Sequence, residues 1–93
     1  MHKPLRFKNT QNIEYKIIWK APAPKEEADG LCDDPTTPKP KIWIDPNLKP
    51  RRKLKVLIEE MIHAHFWDKS EKDVRRCASN IRSVILKNGW KLD

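Results

Sequence analysis

A proline-rich stretch at residues 20–40 most constrains how this chain can fold. It holds five of the eight prolines and one of the two glycines, the residue types that interrupt helices and sheet ladders. Before this stretch apolar side chains recur with a period of two, and after Pro50 they recur with a helical period. We therefore expect strands in the first part of the chain, a long loop at 20–40, and helices at the C-terminal end.

Three segments have the composition of short strands. Residues 13–19 alternate large apolar side chains with mostly polar ones, the period of a strand with one buried face. Residues 4–8 repeat this alternation over a shorter length, and residues 8–12 would be the turn between the two. Residues 41–45 are rich in Ile and Trp and end at Pro46, so they predict a third strand.

Two helices are predicted after the third strand, at 49–68 and 70–88. Pro50 suits the first turn of a helix because the N–H that it lacks would have no partner there. Ser70 is a favourable N-cap with an acidic residue three positions later. An Asn-Gly pair follows the last apolar position of the second helix and predicts its end.

The length of 93 residues fits one domain. The pattern predicts a single α+β domain at 1–93, in which a small antiparallel-type sheet of about three strands packs on the two C-terminal helices. The four Trp residues and Cys77 are expected in the core. The N-terminus lacks the apolar run of a signal peptide, and no run of apolar residues is long enough to span a membrane. With only two cysteines, a reducing cytoplasm is the expected compartment.

The helix predicted at 49–68 has apolar residues on two faces. One stripe is predicted to face the core: Leu54, Leu57, Ile58, Met61 and His65. On the opposite face Glu59 and His63 lie one turn apart, with Val56 and Trp67 beside them. A face exposed to solvent would be polar throughout. We therefore expect this helix to be covered on both sides, with the acid and the imidazole directed into a cleft.

The sequence Glu-Glu-Met-Ile-His at 59–63 is an altered form of the HExxH zinc motif. In HExxH the two histidines bind Zn²⁺, and the Glu acts as general base on a metal-bound water. Here Glu60 has the general-base position, His63 has the second-ligand position, and Glu59 replaces the first histidine. A carboxylate can bind Zn²⁺. Two carboxylates and one imidazole, however, favour harder cations more than a two-histidine site does. On spacing alone, the alternative is a solvated polar patch.

Several short motifs resemble one protein family. They are Ile-Asp-Pro at 44–46, the motif at 59–63 followed by Ala64, Trp-Asp at 67–68, and Asn-Gly-Trp at 88–90. Over roughly residues 30 to 91 the chain is similar to small zinc metallopeptidases encoded by phages and prophages. That family has HExxH where this chain has the altered motif.

The resemblance implies a minimal zincin-like fold, a zinc ion and metal-dependent peptidase chemistry. Glu59 and His63 would bind the metal. Glu71 is the best candidate for a third ligand, because the family usually has an acidic residue at the start of the second helix, and Asp68 is the next candidate. Glu60 would accept the proton of the metal-bound water. The resemblance also implies a phage-type protein that acts on a peptide or a host protein in the host cytoplasm.

The sequence supports two classes of function. The first is a zincin-like, metal-dependent peptidase scaffold that is weakly active or degenerate. The second is a non-catalytic basic protein that binds nucleic acid or a host protein, since the net charge is +7. Its binding residues would be Lys49, Arg51, Arg52, Lys53 and Lys55. Cations at a helix N-terminus oppose the helix dipole, which favours an acidic partner such as a phosphate backbone.

Overall fold

Four strands and two helices make up the described part of the chain, which covers residues 5–22 and 28–92 of a computed structural model. The elements are β1 (Leu5–Lys8), β2 (Glu14–Ile18), β3 (Gly30–Cys32), β4 (Lys41–Ile44), α1 (Pro50–His65) and α2 (Glu71–Lys87). Residue 4 of the first predicted strand and residues 23–27 of the predicted loop lie outside the described residues. Within the described ranges, neither helix is long and apolar enough to cross a membrane.

The strands form one mixed sheet in the order β1–β2–β4–β3. β1 and β2 form an antiparallel hairpin. β2 and β4 run parallel, with Ile17 opposite Ile42, and β3 pairs antiparallel with β4, with Leu31 opposite Trp43. Parallel neighbours need a long connection, and the segment 19–40 supplies it.

The predicted α+β class is confirmed, but the sheet differs from the prediction in two respects. It has four strands rather than about three, because the predicted loop at 20–40 contains β3. It is mixed rather than antiparallel, because β2 and β4 run in the same direction. A three-residue strand is too short to show an alternating pattern in the sequence, and it is defined here by its pairing with β4.

The hydrophobic core lies between the sheet and α1. It consists of Tyr15, Ile17, Cys32, Ile42 and Ile44 from the sheet, and of Val56 and Ala64 from α1. Alternate residues of β2 and β4 point into this core, which is why the two strands are apolar on one face. The buried hydroxyl of Tyr15 donates to the Asp33 carbonyl at 2.9 Å, so its polar end has a partner.

α1 presents a different face to the core from the one predicted. Its buried residues are Val56, Glu59 and Ala64, whereas every member of the predicted core stripe is at least partly exposed. Leu57 and Met61 of that stripe pack against the edge of the core. The helix is in contact with the sheet on one side and with α2 on another. The placement of α1 between the sheet and α2 therefore determines which of its residues are buried, and its widest apolar stripe does not.

α2 packs against α1 and buries only a narrow face, which consists of Val74 and Ala78. Two predictions from sequence about the core are wrong. Cys77 is exposed rather than buried. Trp67 and Trp90, expected in the core, are 44% and 70% exposed.

The helix ends depend on local signals. α1 ends at His65, before the predicted residue 68, and residues 66–69 form the turn to α2. Ser70 is the N-cap of α2, and its Oγ accepts the Asp73 N–H at 3.1 Å. Gly89, just after α2, has a φ of 87°, a conformation that glycine adopts without strain.

Asn9, in the turn between β1 and β2, joins the hairpin to the end of α1. Its buried side-chain amide donates to the Ala64 carbonyl at 2.9 Å, and its Oδ1 accepts two backbone N–H groups of the same turn at 2.9 Å each. The neighbouring Thr10 hydroxyl donates to the His65 carbonyl at 2.9 Å. These bonds satisfy two of the carbonyls that the end of a helix leaves unpaired, and they fix the end of α1 on the hairpin.

We expect Asn9→Asp to lower the free energy of unfolding by about 1–3 kcal/mol. The carboxylate cannot donate to the Ala64 carbonyl, and it places a negative charge at the C-terminal end of a helix, where the dipole opposes it. Urea unfolding measures the change. Thr10→Val is the matched control, because it removes a single exposed hydrogen bond to the same helix end and should cost less. Equal losses in the two variants would contradict the role given to Asn9.

Candidate functional site

Glu59 and His63 lie one turn apart on α1 and are both largely shielded from solvent. Glu59 is only 9% exposed, and the His63 side chain is 15% exposed. Two such residues at i and i+4 face the same side of a helix. A buried carboxylate beside an imidazole is costly to maintain unless other groups satisfy it, so its neighbours define what the site can do.

The first residue of α2, Glu71, meets the imidazole. His63 Nε2 contacts Glu71 Oε1, and Arg75, one turn later in α2, places Nη2 3.4 Å from Glu71 Oε2. The Ser70 cap starts α2 at Glu71, where an acidic side chain is favoured by the helix dipole. Trp67 lies edge-on to the imidazole with ring centroids 6.4 Å apart. His63 is thus held by a carboxylate and an indole.

The carboxyl group of Glu60 has a raised pKa. Burial is the largest cause that raises the pKa of the Glu60 carboxyl, and the negative charges of Glu59 and Glu71 add to it, so that the pKa reaches about 7. A carboxyl group with a pKa near 7 can both hold and release a proton at neutral pH. This is the residue at the predicted general-base position.

Gly30, the first residue of β3, lets the strand lie directly against α1. An ideal Cβ built on Gly30 would lie 2.5 Å from Val56 Cγ1 and 3.1 Å from Glu60 Cγ. No side chain fits in that space, so the glycine sets the distance between strand and helix. The close approach places the backbone of β3 over the Glu60 side chain and contributes to its burial.

An open cleft of roughly 530 Å³ lies between the start of β3, α1 and the first turns of α2. Its charged lining residues are Asp29, Arg52, Lys55, Glu59, Glu60, Glu71 and Arg75. A second hollow of roughly 270 Å³, lined by His63 and Trp67, shares Gly30, Glu60 and Glu71 with the cleft. The two carboxylates therefore form the boundary between the hollows and can be reached from both.

The predicted metal ligands do not form a complete set. The structure brings His63 and Glu71 into contact, with Glu59 one turn away, but Asp68 is exposed in the turn between the helices and lines neither hollow. Among residues 5–22 and 28–92, no group of three or more His, Cys, Asp or Glu side chains is placed to hold a metal ion. The His63 Nε2 is already in contact with Glu71. The geometry is that of an imidazole–carboxylate pair and does not fit a three-ligand zinc site.

Cys32 lines the second hollow beside Glu60, and its thiol is the group that could act there as a nucleophile. Burial raises the pKa of the Cys32 thiol, and the negative charge of Glu60 raises it further. A thiol that stays protonated is a poor nucleophile. Cys32 is therefore a core residue.

The basic residues predicted to bind an acidic partner differ from one another in exposure and in their contacts. Lys49 and Arg51 are exposed, and Arg52 places Nε 2.9 Å from Asp29 Oδ2. Lys53 and Lys55 are half-buried. Arg52 and Lys55 line the cleft together with its carboxylates. Two of these cations therefore balance negative charge of the chain itself.

Gly30, Asp29 and Arg75 are site residues that sequence reasoning missed. Asp29 and Gly30 fall within the predicted loop, and Arg75 is one of many basic residues on an exposed helix. A glycine followed by apolar Leu and Cys in a proline-rich stretch was the one available signal, because isolated glycines mark close approaches of the backbone.

No family model, curated protein or solved structure matches this chain. The likeness to phage-type zinc metallopeptidases therefore stays a prediction from short motifs. The function has to be argued from the geometry of Glu59, Glu60, His63 and Glu71.

We expect Gly30→Ala to lower the free energy of unfolding by about 1–3 kcal/mol, because the added methyl group overlaps Val56 Cγ1. Chemical denaturation measures the loss. Val56→Ala removes the overlapping atom, so the same Gly30→Ala change should cost less in that background. An equal cost in both backgrounds would mean that Val56 does not limit the space at Gly30.

We expect the Glu60 carboxyl to titrate near pH 7 in the native protein. NMR of the side-chain carboxyl carbon, recorded as a function of pH, measures this titration. Its raised pKa means that the folded chain binds more protons than the unfolded chain from about pH 4.5 to about pH 7. Stability therefore declines as the pH rises through this window.

Two variants test the cause of this shift. Glu60→Gln should remove the part of the decline that Glu60 causes. Glu59→Gln should lower the Glu60 pKa, because it removes a neighbouring negative charge while keeping the shape of the side chain. A Glu60 that titrates near 4.5 in the native protein would contradict the buried position assigned to it.

Proposed function

We propose that this chain is a zincin-like protein whose metallopeptidase site is degenerate and which serves as a peptide-binding scaffold. The proposal is supported by the motifs shared with phage-type zinc metallopeptidases and by the position of the altered motif on a central helix beside an acidic cleft. The contact between His63 and Glu71 carries it. Glu71, an acidic residue that follows the motif, contacts the motif histidine, as the resemblance implies for two residues that bind one metal ion. The position of the first metal ligand, however, holds Glu59 instead of a histidine.

The donor set explains why the site is assigned as degenerate. Catalytic zinc sites use three protein ligands and leave a fourth position for water. Here a single imidazole is surrounded by carboxylates, and its Nε2 contacts Glu71 directly. Such a set is poorer in nitrogen donors than a two-histidine site and favours harder cations. We therefore derive no step of a reaction through zinc.

The chain's own residues still provide acid–base chemistry. The raised pKa of Glu60 lets it exchange a proton with a bound group near neutral pH. The His63–Glu71 pair can donate or accept hydrogen bonds at the same place. None of these groups activates a nucleophile in the described residues, which favours binding over hydrolysis.

The edge of β3 favours a peptide as the bound molecule. Asp45 N–H donates to the Asp29 carbonyl and Asp33 N–H donates to the Lys41 carbonyl, each at 2.9 Å. In an antiparallel pair, residues that bond to the partner strand alternate with residues that direct their backbone groups away from it. Asp29 is a bonded position, so the next residue, Gly30, is of the second kind. The N–H and C=O of Gly30 therefore point away from β4 along the edge that lines the cleft. An extended peptide can add to such an edge by backbone hydrogen bonds.

The decisive experiment is elemental analysis of the purified wild-type chain and of Glu59→His. We expect the wild type to hold much less than one zinc per chain. Glu59→His completes the two-histidine motif and should hold about one zinc per chain. The matched control is the double variant Glu59→His/His63→Ala, which should lose the zinc again.

Two results would contradict the proposal. Stoichiometric zinc in the wild type that is lost in His63→Ala would mean that the site is intact rather than degenerate. A Glu59→His variant that folds normally and holds no zinc would mean that the scaffold is not zincin-like.

Nucleic-acid binding through the basic run stays a prediction of the sequence. Arg52 and Lys55 line the cleft with carboxylates, which reduces the positive potential available to a phosphate backbone. The peptide-binding proposal uses the same cations as part of the cleft and is better supported by the geometry.

A further inference from the structure

The outer face of α2 carries a stripe of side chains that is exposed over its whole length. The stripe consists of residues at alternating spacings of four and three: Asp73, Cys77, Asn80, Val84 and Lys87. Residues with these spacings lie on one face of a helix. Val74 and Ala78, which pack towards α1, lie on a different face. The stripe has no partner within the described residues.

If two copies of the stripe are aligned in opposite directions, each end of one copy meets a complementary end of the other. An acid lies at one end and a base at the other, a small apolar residue follows each end, and an amide lies in the centre. Val84 is 58% exposed, and the adjacent Ile81 is 39% exposed. Neither Asp73 nor Lys87 is in an ion pair within residues 5–22 and 28–92.

We propose that α2 pairs antiparallel with α2 of a second copy of this chain, about a two-fold axis at Asn80. Asp73 then lies opposite Lys87 of the partner subunit, and Cys77 lies opposite Val84 of the partner subunit. Each of these contacts occurs twice, as two-fold symmetry requires.

The axial positions of the residues agree with this register. At a rise of about 1.5 Å per residue, Asp73 and Lys87 each lie about 10.5 Å from Asn80, on opposite sides. Cys77 and Val84 lie about 4.5 Å and about 6 Å from it, so they meet within about 1.5 Å along the axis. The antiparallel arrangement also places the positive end of one helix dipole beside the negative end of the other.

The proposed dimer leaves the candidate site accessible. Glu71 and Arg75 lie more than a quarter turn around α2 from the stripe, at about 100° per residue. The cleft that they line faces α1 and β3. The dimer and the proposed function can therefore fail independently of each other.

Sedimentation equilibrium over a range of concentrations tests the dimer through a charge swap. The wild type should show a concentration-dependent monomer–dimer equilibrium. Asp73→Lys and Lys87→Asp each turn two attractive pairs into two repulsive ones, and each should raise the dimer Kd at least about tenfold. The double variant Asp73→Lys/Lys87→Asp restores opposite charges and should return the Kd to within about threefold of the wild type.

Lys72→Asp is the matched control for Lys87→Asp, because it makes the same change in charge on an exposed position of α2 outside the stripe. It should leave the Kd within about threefold of the wild type. Circular dichroism checks that every variant keeps its helices.

Three results would overturn the proposal. They are a wild type that stays monomeric up to about 1 mM, a dimer that neither single reversal weakens, and a double variant that stays as weak as the single variants. The last two would mean that the contact lies elsewhere or that the helices pair in another register.

Discussion

The close contact between Gly30 and α1 is the constraint on which the candidate site depends. Because Gly30 has no side chain, β3 can lie against Val56 and Glu60. This contact contributes to the burial of Glu60, and burial is the main reason that the pKa of its carboxyl rises to about 7. The same strand ends the sheet and lines the cleft. One backbone contact thus fixes both the acid–base behaviour of the site and the edge available to a ligand.

The site concentrates negative charge around a single imidazole. Glu59, Glu60 and Glu71 lie close enough for the charges of the other two to raise the Glu60 pKa. A proton on Glu60 and the contact of Glu71 with His63 and Arg75 limit the repulsion. A second histidine at position 59 would have removed one of these charges and added a nitrogen donor. The glutamate at position 59 therefore affects the electrostatics of the cleft as well as the number of nitrogen donors beside it.

Only one face of α2 is covered within the described residues. Its inner face packs on α1, and its first residue, Glu71, reaches the imidazole. Its outer face is exposed, and no element of residues 5–22 and 28–92 covers it. The proposed pairing with a second copy would cover that face without blocking the cleft. Site and interface would then share a helix while using different sides of it.

The sequence by itself determined the features that depend on neighbours within one turn or one dipeptide. The alternation at 13–19, the Ser70 cap and the i, i+4 spacing of Glu59 and His63 are such local features, and all are present in the structure. Only the tertiary structure decided the features that depend on distant contacts: the three-residue β3, the parallel pairing of β2 with β4, and the exposure of Cys77. The physical reason is that strand pairing and helix rotation are set by which surfaces bury each other, and residues far apart in the chain make those contacts.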